Sequence, residues 1–142
     1  MKYLAIDYGL KRVGIAVSDD GGQFAFPRRT LRRETKAAFF AELLALLEEE
    51  RAEAIVVGLP LLPDGKECLT TKQVRHFIES LKRRTDLPLY WVDEVFSSAV
   101  AEEELFGFGL NYGKVHKVLD QQAAVLILES FLGLPEDRRQ RA

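Results

Sequence analysis

Cysteine is nearly absent from this chain of 142 residues. The single one, Cys68, allows neither an internal disulfide framework nor a cysteine-based zinc site, and that scarcity suits a reducing cytoplasm, the expected location. Long apolar runs are missing too. None approaches a membrane span, and Asp7, Lys11 and Arg12 break up the N-terminal run that a secretory signal would need, so no membrane partner is expected. The two histidines, His76 and His116, lack a metal-ligand spacing. His116 lies between Lys114 and Lys117, where a substrate contact competes with a plain surface role; the surface role is favoured. Surplus positive charge is absent as well: the net charge is −2, so any nucleic-acid partner would have to be bound by a local basic patch. There is no internal repeat, low-complexity segment or interdomain linker. The length suits one domain with a real core, expected over residues 1–134, with residues 135–142 a polar tail that frays.

What is present is a clear alternation of strand and helix signals. Leu4–Ile6 and Val13–Val17 are short apolar runs, and the Gly9–Lys11 segment between them is short enough for a hairpin turn. QFAFPRRTLRR, after Gly21-Gly22, reads as a third strand whose Pro27 marks an edge or a bulge. Its Arg28, Arg29, Arg32 and Arg33, with Lys36 following, form either a charged edge that resists aggregation or a phosphate-facing patch; spacing alone favours the former. Thr35 can cap a helix to about Arg51 with Phe39, Phe40, Leu43, Leu44 and Leu47 on one face. Ala54–Gly58 is a continuous apolar strand of the doubly buried kind, emptying into a loop through Pro60, Pro63 and Asp64-Gly65. A second helix turns Val74, Phe77, Ile78 and Leu81 inward, and Leu87–Val92 is a strand ending in Asp93-Glu94. A third helix is expected from Ser97 or Ser98 to Glu104 or Phe106, then a loop through Gly107, Gly109 and Gly113. A last helix is expected over Lys114–Leu132. Trp91 and Phe77 read as core rather than base-stacking platforms. This order predicts an α/β fold: a three-strand antiparallel meander followed by βα units, five strands in all, with helices on the faces of the sheet.

Three acidic positions interrupt apolar structure. Asp7 lies in the first strand, Asp93 and Glu94 end a strand where ligands of open α/β sheets bind, and Asp120 precedes the apolar segment AAVLIL. Ala124 shares a helix face with Asp120, and a small residue there lets the helix approach the sheet. Carboxylates converging from separate elements repel one another unless a divalent cation neutralises them, and oxygen-only donors suit magnesium or manganese. Each has an ordinary reading beside that one: Asp7 as a turn cap, Asp93 or Glu94 as a helix N-terminal charge, Asp120 as a partner for Lys117.

Larger patterns resolve these alternatives. Asp7-Tyr8-Gly9, Arg12-Val13-Gly14, Ala16 and Ser18-Asp19 resemble the DxGxxRxGxAxSD opening of the YqgF family, also called RuvX, of resolvase-like nucleases. Val57-Gly58-Leu59-Pro60-Leu61 with Asp64-Gly65 is similar to that family's VGLP…DG loop, and Asp120 with Ala123-Ala124 to its DxxAA helix. Asp93-Glu94 falls between them, and the motifs run in order along nearly the whole chain. The resemblance implies a ribonuclease H-like fold, a bacterial cytoplasmic protein, nuclease activity and a role in maturing the 5′ end of pre-16S ribosomal RNA. It places Asp7, Glu94 and Asp120 as catalytic and metal-binding acids for Mg2+ or Mn2+. It also places Arg12 in the opening motif, where it could meet a phosphate or pair with an acid. Arg12, Arg28, Arg29, Lys114 and Lys117 are the expected nucleic-acid contacts. The chain departs from the family at Val95, where an Arg usually follows Asp-Glu; that removes one phosphate or carboxylate contact.

The expected partner is nucleic acid, RNA favoured and branched DNA possible, with the oligomeric state left open. The rival readings are a Holliday-junction resolvase and a non-catalytic nucleic-acid-binding scaffold. An actin-like ATP-binding lobe also opens on a strand-borne Asp-x-Gly, but that fold needs two lobes and 142 residues do not supply both.

Overall fold

Strand residues point alternately to opposite sides of a sheet, so a strand apolar at every position demands a cover on each face. The computed structural model describes residues 1–94 and 112–142, and the side chains among them except those of residues 112–119. The expected helix from Ser97 or Ser98, the glycines Gly107 and Gly109, and the departure at Val95 lie outside the described residues. Six strands form one sheet: β1 (Tyr3–Tyr8), β2 (Arg12–Ser18), β3 (Ala25–Arg32), β4 (Ala54–Leu59), β5 (Leu89–Asp93) and β6 (Gln140–Arg141). Their order is β3-β2-β1-β4-β5-β6. The pairs β3–β2 and β2–β1 are antiparallel, β1–β4 and β4–β5 parallel, and β5–β6 antiparallel. The meander followed by βα units is therefore as expected.

Helices α1 (Lys36–Glu50) and α2 (Leu69–Lys82) cover one face, and α3 (Tyr112–Leu132) covers the other. The first layer buries Leu4, Ile6, Ile55 and Val57 of the sheet against Phe39, Leu43, Phe77 and Leu81 of the helices. The second buries Ala5, Ala16 and Val56 against Ala124, Ile127, Leu128 and Phe131. Each fully buried Leu, Ile or Phe contributes roughly 1.5–3 kcal/mol of transfer free energy, so both layers are needed to hold the sheet. The Thr35 hydroxyl caps α1 by accepting from the Ala38 amide at 3.1 Å, and Arg51 ends it in the left-handed region. Gly113 falls within the first turn of α3 rather than in the preceding loop, because the helix starts at Tyr112.

β3 is an edge strand of the sheet, the place where a strand tolerates a proline such as Pro27. The β2–β3 register slips between Ile15 and Ala16, opposite Arg29 and Pro27, so Pro27 marks an edge and a bulge together. The expectation of a frayed tail is corrected. Residues Glu136–Arg138 form a 3-10 turn, and Gln140–Arg141 pair with Tyr90–Trp91 to make a sixth strand. Two causes hold it there: β5 would otherwise expose an open edge, and the Arg139 guanidinium donates to the carbonyls of Leu132 and Leu134 and to the Tyr3 hydroxyl.

The layer under α3 is thin at one point. A Cβ added at Gly14 would stand 1.8 Å from the backbone carbonyl oxygen of Asp120, so the helix rides on β2 at a separation only glycine permits. Gly14→Ala is expected to destabilise the protein by about 3 kcal/mol, the upper range for overpacking, because backbone rather than a flexible side chain must move. Urea unfolding of the variant checks this, and a change within about 0.5 kcal/mol, as for a surface substitution, would show the close seat to be dispensable.

Candidate active site

Two strands and a helix deliver side chains to the same corner of the α3 face. Asp7 shares the side of β1 that carries Tyr3 and Ala5 and is paired with Gly14 of β2. Ile6 is paired with Val57, which sets Asp7 level with Gly58 of β4. Glu94 follows β5 with the same alternation as Tyr90 and Val92, and its amide donates to the Leu59 carbonyl at 3.2 Å. Gly58 makes the room: a Cβ there would lie 2.8 Å from Glu94 Oε2 and 2.4 Å from Ile127 Cδ1. Asp120 is brought to the corner by the seat of α3 on Gly14. All of this happens where parallel β4 and antiparallel β2 flank β1, at the strand ends where open α/β sheets bind ligands.

Asp7 and Glu94 are in hydrogen-bond contact. Burial pushes Asp7 up to about 6, the bond from Glu94 pulls it partly back, and the charge of Asp120 raises it again. Burial, then the charge of Asp7 and the hydrogen bond to it, push Glu94 up to about 9, with Asp93 adding to the rise. Glu94 therefore carries the proton at neutral pH and donates it to the Asp7 carboxylate. Asp120 Oδ2 accepts from Arg12 Nε at 2.8 Å, a pair separated by 108 residues of chain.

Two half-buried carboxyl groups sharing a proton, with a third carboxylate close enough to perturb Asp7, form a donor set of hard oxygens that fits magnesium or manganese. Among the described residues no three His, Cys, Asp or Glu side chains are gathered tightly enough to enclose an ion as they stand. The proton on Glu94 and the guanidinium of Arg12 do the neutralising that a cation would do. Asp93, the neighbouring candidate, is exposed.

The expected basic contacts separate. Arg28 is committed to α1, ion-paired with Glu50 and, at 3.3 Å, with Glu49, because the edge strand lies against the end of that helix. Arg28 nevertheless lines, with Arg12, Arg29, Arg32 and Gln121, a groove of about 490 Å³ along the β3 edge, whose wall also carries Glu34 and Glu42. Gln121, next to Asp120, donates to the Thr30 hydroxyl at 3.2 Å, so the groove leads to the carboxylates. Lys114 and Lys117 lie in the first turns of α3, and their side chains fall outside the described ones. Spacing gave no sign of the stack made by Tyr8, which lies 4.0 Å from Phe77 and nearly parallel to it under the Arg33 guanidinium. The alternation of Asp7 and Tyr8 along one strand is the signal that could have placed it on the opposite face.

Comparison with known proteins gives the family and the fold. Residues 1–134 match the model of a family described as "RuvX: Holliday junction resolvase". A protein of Nitratidesulfovibrio vulgaris (strain DSM 19637 / Miyazaki F) named "Putative pre-16S rRNA nuclease" is 63% identical over 98% of each chain. A protein of the same name from Lawsonia intracellularis is 49% identical over 98% of each. Among solved structures, T. thermophilus RuvC in complex with Holliday junction substrate superposes with a TM-score of 0.58 over the whole of both chains at 18% identity. Fowlpox virus resolvase with its junction DNA gives 0.53 at 12% identity, over 92% of this chain and 98% of the other. At such identities the likeness shows the fold, which is the ribonuclease H-like arrangement expected from the motifs.

The shared proton makes stability depend on pH. A carboxyl group whose folded pKa is raised contributes stability that is fully present below its unfolded pKa and lost as pH rises through the folded one. Metal-free protein is therefore expected to lose stability from about pH 4 upward, through about 6 for Asp7 and about 9 for Glu94. Asp7→Asn should flatten this dependence and, near pH 8, raise stability by on the order of 2 kcal/mol. Thermal melts of both proteins from pH 5 to 9 under chelation check it; parallel curves would contradict the shared proton.

Proposed function

The chain belongs to the RuvX family, and from that premise we propose that it is a divalent-metal nuclease that processes the 5′ end of pre-16S ribosomal RNA in the bacterial cytoplasm. The carrying observation is the buried contact between Asp7 and Glu94 with the charge of Asp120 beside it. A carboxyl pair in contact costs stability whenever both ionise, and such an arrangement at a strand-end corner is characteristic of a working site. Asp7, Glu94 and Asp120 would hold the ion. When bound, magnesium or manganese supplies a Lewis acid for the scissile phosphate and lowers the pKa of an attacking water.

The chain's own residues supply the rest. Arg12 keeps the third carboxylate neutralised until an ion does so, and its guanidinium then becomes available to a phosphate oxygen. Gly14 and Gly58 keep the corner shallow enough for α3 and Glu94 to close around it. The groove at the β3 edge sets Arg12, Arg28, Arg29 and Arg32 against Glu34 and Glu42, and so offers the polynucleotide a net basic path toward the acids. Substrate affinity should accordingly fall with salt despite the net charge of −2. The names carried by relatives of 49–63% identity favour ribosomal RNA over a DNA junction as the substrate. No helix among the described residues is long and apolar enough to cross a membrane.

The test offers precursor 16S RNA and a four-way DNA junction side by side with magnesium, manganese, calcium or chelator. Cleavage of the RNA is expected with magnesium or manganese, little with calcium and none under chelation. Asp7→Asn, Glu94→Gln and Asp120→Asn should each lower turnover by at least about a hundredfold, beyond what residues that merely support ligands cost. Binding of the RNA should persist in all three. Cleavage that survives exhaustive chelation, or a fully active Asp120→Asn protein, would overturn the assignment.

A further inference from the structure

On the face of the sheet away from the carboxylates, directly behind Asp7, the fold leaves a cavity of about 200 Å³ between α1 and α2. Tyr8, Arg33, Lys36 and His76 line it, with Thr35 and Ser80 beside them. It adjoins a shallower hollow that shares Tyr8, Arg33 and His76 and adds Lys72. Among the described residues four basic side chains line the two together and no acidic one does, in a chain whose net charge is negative.

These cations differ in what they already do. Arg33 holds structure together, since its Nη1 donates to the carbonyls of Gly9 and Leu10 at 2.8 and 3.1 Å, and its guanidinium caps the Tyr8 ring. It grips the turn between β1 and β2 and presents its charge to the cavity from a fixed position. Lys36, Lys72 and His76 are exposed and make no ion pair among the described residues. Arg28, by contrast, is spent on two glutamates. Cations in a concavity without a counter-charge focus an attractive field on an anion. Hydroxyl donors beside them suit an oxyanion, and the aromatic wall suits the sugar that carries it.

We propose that this cavity is a second phosphate-binding pocket, one that takes a phosphate of a single-stranded segment of the nucleic-acid substrate away from the scissile bond. Asp7 and Tyr8 are consecutive in β1 and face opposite sides, so the two sites share one end of the sheet across its thickness. A strand engaging both has to fold over the β1–β2 turn. A duplex, stiff over about 150 base pairs, resists such a bend, whereas an unpaired strand does not. The pocket thus selects for an unpaired flank and deepens the nuclease reading on which it rests.

The experiment compares wild type, the double variant Lys36→Gln/Lys72→Gln, His76→Gln, and a control that removes two positive charges elsewhere, Arg51→Gln/Lys82→Gln. Each is titrated with single-stranded RNA bearing a 5′-phosphate, the same RNA with a 5′-hydroxyl, and the RNA fully paired to its complement, over a range of salt. The double variant should bind single-stranded RNA about tenfold more weakly and flatten its salt slope by about 0.7 for each phosphate that is no longer neutralised. His76→Gln should show a smaller loss, the control none, and the paired RNA should be insensitive. A loss confined to the 5′-phosphorylated strand assigns the pocket to a terminal phosphate; an equal loss on both strands assigns it to the backbone. An unchanged salt slope in the double variant, with wild type binding and cleaving normally, overturns the pocket alone. Equal loss on paired RNA overturns the route around the sheet end. Wild type that binds no RNA overturns this proposal and the nuclease reading together.

Discussion

The backbone of α3 rests on β2 with no side chain between them, and the site depends on that contact. Any residue larger than glycine at position 14 would drive a Cβ into the Asp120 carbonyl. Because the contact is backbone to backbone, the position of Asp120 is set by main-chain sterics, not by a rotamer. Ala124, buried one turn on, continues the same close approach, and Phe131 anchors the far end against Tyr3 and Tyr90. The helix is thus clamped along the sheet, and the third carboxylate is held where its charge reaches Asp7.

That placement sets the electrostatics of the whole corner. Three carboxyl groups in a partly desolvated space repel, and the fold relieves the repulsion in two ways at once. One group keeps its proton, on Glu94, and another takes a guanidinium, from Arg12. Both devices are reversible. A divalent ion held here would displace the proton and release the arginine, whereas a core of apolar residues at the same place would be more stable and inert. The corner is therefore better explained by function than by folding.

Much of this was legible in the residues. Alternation and apolar runs placed β1, β2, β4 and the inner faces of α1 and α2, because both depend on local periodicity. The ordered motifs marked Asp7, Glu94 and Asp120. What was not legible was long-range. Nothing in spacing says that Arg12 meets Asp120, or that Arg28 turns to Glu49 and Glu50. The tail reads as polar and frayed because its ordering comes from a neighbour's open edge and from Arg139 reaching the end of α3, not from its own composition. Gly58 is likewise just a glycine in a strand until Ile127 and Glu94 are seen to fill the space beside it.

The pairing of Arg12 with Asp120 closes a loop of 108 residues, and its consequence belongs to the order in which the molecule comes into being. Contacts between distant parts of a chain form late, since their closure entropy must be overcome before they repay it. The hairpin of β1 and β2 can form early and alone, yet it carries only Asp7. Glu94 must wait for β5 to dock beside β4, and Asp120 for α3 to settle on Gly14. A partly folded or nicked chain therefore holds the acids apart. If the three acids do the cutting, activity arrives only with the finished fold, and the unfinished chain is harmless to the nucleic acid around it.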